Sequence, residues 1–298
     1  MAYKIREAAE VVSTGGSLIS DAKLKQLYTT MLQCRLLTER ARRAHNRNGS
    51  ASLYAASVGQ EAIATGCAID LRPEDAIACH ESIASRIIAG LVKRVPLNAT
   101  VAELYANHLP STATEVQLSA ATGLALANKR EKNTAVVVAF TGKAVTALGA
   151  WHKTLTLSAG HRLPMIFVVE NNSRVKSAGV RSDWEDFTQK AQSYGLPGIT
   201  VDGNDVVAVY RVAHESLERV RQGDGPVLIE ATAYRQPDQT GRPEHDPLTH
   251  MEDYLAAKKL FHPRWKNRLV EKFSQELDAA AKAARKMQRP QRNAPALP

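Results

Sequence analysis

The chain has 298 residues, 44% hydrophobic and 23% charged, with a formal net charge of +9. This composition excludes a disordered chain, and the length suits one large α/β domain or two small ones. No run of about 18 apolar residues occurs, so no membrane-spanning helix is expected. The start, "MAYKIREAAEVVSTGG", lacks the apolar region of a secretory signal.

Residues 1–19 read as a flexible arm ending in "STGGS". Ser20 can cap a helix, and Leu24, Leu27, Tyr28 and Met31 recur at helical spacing, giving an apolar face to about Arg43. "GQEAIATGCAIDL" (Gly59 to Leu71) reads as a second helix ended near Pro73, and "NATVAELYANH" (Asn98 to His108) as a short third. "EVQLSAATGLALANKREK" (Glu115 to Lys132) is an Ala-rich helix with a polar end.

The centre of the chain changes character. "TAVVVAF" (Thr134 to Phe140) and "PMIFVVE" (Pro164 to Glu170) are continuous apolar runs, suited to strands buried on both faces. Between them Ala144 to Ser158 reads as helix. "GITVDGND" (Gly198 to Asp205) gives a short strand and turn, with Asn204 the expected N-cap of a helix from Val206 to Arg221. "GPVLIEATAYR" (Gly225 to Arg235) is a further strand, and "HPRWKNRLVEKFSQELDAAAKAARKMQ" a late charged helix. Alternating strands and helices predict an α/β fold with a mostly parallel sheet covered on both faces. Residues 20–288 are taken as one domain and 289–298 as a disordered tail.

Cys34, Cys67 and Cys79 are odd in number, widely spaced and outside any CxxC. They read as buried, reduced thiols of a cytoplasmic protein. Two basic stretches, Glu39 to Arg47 and Lys282 to Arg292, carry much of the positive excess. Without interleaved aromatics or zinc spacing they read as a solvated helix face and a basic tail, and nucleic-acid binding is not expected.

The stretch from Ala139 to Asn172 runs strand, turn, helix, strand, then a paired Asn. A Walker loop fails here because Val137 and Ala144 occupy the Gly and Ser/Thr places. A dinucleotide fingerprint fails because "TGKAVTALG" has only two well-separated glycines. His152, His161 and His214 have no partner at metal spacing and read as solvated or capping residues. Gln60 and Glu61 read as bracing the backbone, and Asp202 and Asn204 as turn and cap residues.

The span from Gly142 to Asn172 has the spacing and flanking strands of the thiamine-diphosphate motif, G-D-G then N-N. With "GQEA" (Gly59 to Ala62), "LPMIFVVENN" (Leu163 to Asn172), "VDGNDVVAVY" (Val201 to Tyr210) and "GPVLIEATAYR", the chain resembles the alpha subunit of the thiamine-diphosphate-dependent 2-oxo acid dehydrogenase component, pyruvate and branched-chain types. The resemblance covers roughly Ala22 to Gln288. It implies a thiamine-diphosphate-binding fold and a chain that holds the diphosphate and Mg²⁺. It also implies a separate beta subunit that covers the aminopyrimidine and supplies its activating Glu, in a heterotetramer. The implied reaction is oxidative decarboxylation of a 2-oxo acid with acyl transfer to lipoamide. By the same resemblance Gly142, Lys143, Asn172 and the main chain of Arg174 fall at cofactor positions, Asn172 being the retained side-chain metal ligand.

Several family positions differ. Lys143 stands at the metal-binding Asp, Ala55 at a His, and Gln239 at a later His. "DAIACHESIASR" (Asp75 to Arg86) lacks the Tyr-Arg pair that reaches the diphosphate, leaving His80 or Arg86 to take that role. "HLPSTATEV" (His108 to Val116) is too short for the family's Gly- and His-containing loop. Replacing an anion by a cation shifts the local charge by two, and at about 4 Å and an effective dielectric near 20 each unit is worth on the order of 4 kcal/mol against one positive charge. Two readings stay open: a homologue with impaired or lost catalysis, or an active subunit in which the Lys143 ammonium replaces the metal. Its partner is then a beta-type subunit, or it self-associates as a homo- or hetero-oligomer.

Overall fold

The structure is a computed structural model that describes residues 19–45, 57–79, 82–105, 114–173, 187–234 and 246–287. Apart from Ile19, the expected arm and tail lie outside the described residues, as do Ala55, His80, Arg174 and Gln239. In chain order the elements are α1 (Asp21–His45), α2 (Glu61–Ala68), β1 (Ala76–Cys79), α3 (Ile83–Val92), α4 (Leu97–Tyr105) and α5 (Thr114–Arg130). Then come β2 (Val137–Gly142), a 3₁₀ turn (Lys143–Ala147), α6 (Gly149–Gly160), β3 (Met165–Ser173), α7 (Phe187–Ser193) and β4 (Gly198–Asp202). The chain closes with α8 (Val206–Arg221), β5 (Val227–Tyr234), α9 (Pro247–Ala257) and α10 (Pro263–Met287).

The five strands form one parallel sheet in the order β1-β2-β3-β5-β4. The apolar runs alternate between two dry faces. Val137, Ala139, Met165, Phe167 and Leu228 pack under α5, α6 and α7. Val136, Val138, Ile166, Val168 and Ile229 pack under α2, α3 and α8, with α1, α4 and α10 joined to the same cluster. From β2 to β4 the chain crosses the sheet with α6 and α7 on the first face, then returns to β5 through α8 on the second. Right-handed crossovers require that change of face when the direction of travel reverses.

The structure corrects several local readings. The helix expected from Ala144 begins at Gly149, because Thr146 Oγ1 donates to the Lys143 carbonyl at 2.7 Å and Leu148 is extended, so a 3₁₀ turn comes first. The N-cap of α8 is Asp205, which accepts from Val207 N and Ala208 N, and not Asn204. Asn204 N instead donates to Asp202 Oδ1 at 2.9 Å, a turn that leaves the next carboxylate facing the helix. β1 and α3 arise inside "DAIACHESIASR", whose strand run is too short to show a period.

Buried charge fixes the base of the sheet. Arg221 at the end of α8 reaches Asp75 through two bonds of 3.0 and 2.6 Å, and Asp75 also accepts from Val136 N and Arg72 N. A fully buried carboxylate with four donors is a satisfied one. Cys34 and Cys67 are buried, and burial pushes both thiols up, so they remain protonated small apolar residues. The basic stretch of α1 meets α10, where Arg40 pairs with Asp278.

The helices α2 and α8 approach unusually closely. A Cβ built at Gly66 would lie 2.6 Å from Val209 Cγ1 and 2.9 Å from Tyr210 N. We expect Gly66→Ala to destabilise the chain by about 1–3 kcal/mol, measured by urea denaturation. At the edge of the same contact Asp70 accepts from Lys23 Nζ, Tyr210 Oη and His214 Nδ1 at 2.7, 2.8 and 2.9 Å. Burial opposes its ionisation, but these three donors outweigh it and hold the carboxyl below its usual 3.8. A depressed carboxyl contributes stability that is fully present above 3.8 and lost as the pH falls through the lower folded value. Asp70→Asn is therefore expected to cost about 1 kcal/mol at neutral pH. In thermal melts, its gap from the parent should close as the pH falls below 3.8.

Candidate functional site

The carboxyl ends of β3 and β5 mark where the chain parts. From β3 it leads to α7 on the first face, and from β5 it leads to α9, which packs with α1 and α2 on the second. In an open α/β sheet this switch point leaves the crevice in which ligands sit. Gly142, Lys143 and the backbone of Asn172 lie at this end of the sheet. Gly142 ends β2 in register with Glu170 of β3. β3 runs three residues further, so Asn172 lies about 7 Å beyond that register position, where its backbone pairs with Ala233 of β5.

Lys143 opens the 3₁₀ turn directly after Gly142 and is exposed to solvent. Its ammonium makes no ion pair with another described residue. Glu170, the carboxylate in register with the turn, is buried and accepts from Ser85 Oγ at 2.9 Å on α3. Its neighbour Asn171 donates to the buried Glu230 of β5 at 2.8 Å, and Thr200 Oγ1 donates to the same carboxylate at 3.3 Å. The carboxylates of the central strands are thus engaged inside the sheet's two faces.

A hard divalent cation needs several oxygen ligands, usually with carboxylates among them. Among the described residues no three His, Cys, Asp or Glu side chains are grouped to hold a metal. Lys143 puts a cation on the turn at the position where the family resemblance places a metal-binding carboxylate. Arg86, a sequence candidate for the diphosphate contact, pairs with Glu103 of α4 at the β1 edge of the sheet.

One network at this end of the molecule was not foreseen. Glu61 is fully buried, receives Arg35 through bonds of 2.5 and 3.0 Å, and accepts from Gly59 N at 2.9 Å. Arg35 also reaches Asp246, the N-cap residue of α9, at 2.6 Å. Burial works against the Arg35 charge, but the two carboxylates push its pKa above the ordinary value. Glu61 therefore braces the backbone, as its sequence position suggested. The available signal was an arginine between Cys34 and Leu36 on the apolar side of α1. The histidines have local roles: His152 Nδ1 meets Tyr194 Oη, His161 is the C-cap of α6, and His214 meets Asp70.

A parallel sheet covered by helices on both faces defines an open-sheet α/β protein. The chain belongs to the dehydrogenase E1 component family, whose profile matches residues 28–292. The expected likeness to 2-oxo acid dehydrogenase alpha subunits is borne out. Over 293 residues it is 29% identical to the pyruvate dehydrogenase E1 component subunit alpha of Staphylococcus epidermidis (strain ATCC 12228 / FDA PCI 1200), covering 89% of this chain and 79% of that one. Identity and coverage are the same for the corresponding subunit of Staphylococcus aureus (strain N315). Among solved structures, a protein from Mycobacterium smegmatis described as thiamin diphosphate-dependent overlaps in part. Its TM-score is 0.42 at 20% identity, over 60% of this chain and 32% of that one, so the chain spans about a third of that structure.

Removing Glu61 would leave the buried Arg35 with one carboxylate and free Gly59 N. Glu61→Ala is expected to lower stability by about 3–5 kcal/mol in chemical denaturation, and Glu61→Gln by less.

Proposed function

We propose that this chain is an alpha-type subunit of a 2-oxo acid dehydrogenase whose metal-anchored catalysis is impaired or lost. The observation that carries the reading is Lys143, an exposed cation on the turn after β2, at the place where the family resemblance puts a metal-binding carboxylate. The fold that presents the turn is intact, and the charge on the turn is reversed. Function resides in the site rather than in the fold, so intact packing motifs beside an altered site support an inherited scaffold. The thiamine-diphosphate cofactor belongs to this proposal through the family. In it the residues that would face the diphosphate are Gly142, Lys143, Asn172 and the main chain of Arg174.

The partner in this reading is a beta-type subunit. Pyruvate is the 2-oxo acid in the names of the similar Staphylococcus subunits, and a short-chain 2-oxo acid is the substrate class to test first. The free thiols of Cys34 and Cys67 support a cytoplasmic setting in this reading. Among the described residues no helix is long and apolar enough to cross a membrane.

The test is calorimetric titration of thiamine diphosphate into the chain, alone and with a beta-type subunit, with and without Mg²⁺. No Mg²⁺-dependent binding is expected, and no 2-oxo acid-dependent reduction of an artificial electron acceptor. Lys143→Asp is expected to introduce Mg²⁺ dependence into whatever binding is present. Tight Mg²⁺-dependent binding by the unaltered chain, with turnover abolished by Asn172→Ala, would overturn the proposal. Mg²⁺-independent binding that disappears in Lys143→Ala would instead establish the ammonium as the metal's replacement.

A further inference from the structure

The two basic stretches of the sequence meet in the fold. Tyr28 of α1 packs against Trp265 of α10 with ring centroids 5.3 Å apart. Arg40 of α1 pairs with Asp278 of α10. From the first contact to the second is about 18 Å along α1 and about 20 Å along α10, at about 1.5 Å per residue. The helices therefore run parallel, and their carboxyl ends lie side by side. Spacings of three, four and seven residues share a helix face. Arg43 thus stands on the face of α1 that carries Arg40, and Lys282 and Arg285 on the face of α10 that carries Asp278. Arg42 flanks the same seam.

Local pairing does not use up this charge. Arg43 is 70% exposed, and its contact with Glu39 at 3.4 Å is a weak surface pair. Arg42, Lys282 and Arg285 pair with no carboxylate among the described residues, and Lys282 and Arg285 are exposed. Five cations against Glu39 and Asp278 leave an excess of three, and the two helix ends offset about one of these. In the sequence no acid occurs from Arg40 to Gln60 or from Ala279 to Pro298. The seam also lacks an apolar anchor. The large apolar side chains exposed among the described residues are Val95, Val116, Leu124 and Leu157, none of them on α1 or α10. A protein partner is held chiefly by aromatic and apolar anchors at the centre of the contact, and a single nucleic-acid strand by bases stacked on aromatic side chains. A duplex backbone needs neither, because its binding free energy comes from counterions released when cations meet phosphates. Four of the five cations are Arg, whose planar fork grips a phosphate through two bonds.

We propose that the seam between the carboxyl ends of α1 and α10 binds the phosphate backbone of double-stranded nucleic acid, without reading its base sequence. From the level of Arg40 and Asp278 to Arg285 the seam extends about 10 Å along the helix axes. Each strand of a duplex presents one phosphate per about 3.4 Å of axis, so the seam covers about three phosphates. That number of contacts suits non-specific binding, with a dissociation constant of about 10⁻⁴–10⁻⁶ M at physiological salt. None of its residues falls at a cofactor position, so the binding does not depend on whether the turn after β2 supports catalysis.

The test is fluorescence anisotropy of a labelled DNA duplex titrated with the full chain at several salt concentrations. The logarithm of affinity is expected to fall against the logarithm of salt with a slope of about −3, alike for two duplexes of unrelated sequence. Arg43→Gln and Lys282→Gln are each expected to make that slope shallower by about one and to weaken binding about fivefold to tenfold at about 0.1 M salt. Both side chains are exposed, so the melting temperature should hold in each variant. Lys153→Gln removes an exposed cation on α6 and should change neither slope nor affinity, which separates the seam from the net charge of +9. No binding at low salt, equal weakening by Lys153→Gln, or weakening by Lys282→Gln with none by Arg43→Gln would each overturn the proposal. Tighter binding to polyglutamate or to vesicles of anionic phospholipid than to the duplex would also overturn it, assigning the seam to an acidic protein or a membrane surface.

Discussion

The central strand β3 sets the constraint on which the rest of this fold depends. It lies between β2 and β5 with apolar layers above and below, so its amide and carbonyl groups have no access to water. Each buried backbone group must be bonded within the protein. β2 and β5 satisfy β3 from both sides, and that pairing fixes where each of them ends. β2 stops at Gly142 opposite Glu170, and β3 continues beside β5 to Ser173. The step between those endings is the place where the turn bearing Lys143 meets the strand bearing Asn172.

Close helix packing and buried charge lock that arrangement. Gly66 lets α2 lie against Val209 of α8, and Gly203, whose built Cβ would be 2.9 Å from Ile63, lets the end of β4 tuck against α2 and β5. Asp75 and Arg221 tie α8 to the start of the sheet, and Arg35 ties α1, α2 and the start of α9 together through Glu61 and Asp246. Most of these residues lie in or beside the motifs that carry the family resemblance. "GQEAIATG" supplies Glu61 and Gly66, and "VDGNDVVAVY" supplies Gly203, Asp205 and Val209. The retained motifs are packing, capping and anchoring devices. Such residues hold the fold whatever side chain stands on the turn after β2.

Much of the fold was legible in the chain. The uninterrupted apolar runs before Phe140 and Glu170 belong to strands buried on both faces, and α8 spans Val206–Arg221 as its periodicity required. β1 was hidden because four residues are too few to show a period, and its place at the sheet edge depends on pairing with β2. The cap of α8 fell on Asp205 because the turn from Asp202 already engages the Asn204 amide. The site was legible in identity but not in assembly. Lys143 could be read as a misplaced charge, while the engagement of Glu170 by Ser85 and of Glu230 by Asn171 required the register of three strands.

The sequence by itself determined the alternation of buried strands and covering helices, the family, and the cation on the turn, because period and residue type are local properties. Only the tertiary structure decided what stands near that cation, how Arg35 is shared between two carboxylates, and which glycines have a neighbour and which do not. Those outcomes depend on distances between segments far apart in the chain. The fold sets these distances through strand register and helix packing, and neither can be read from composition or spacing.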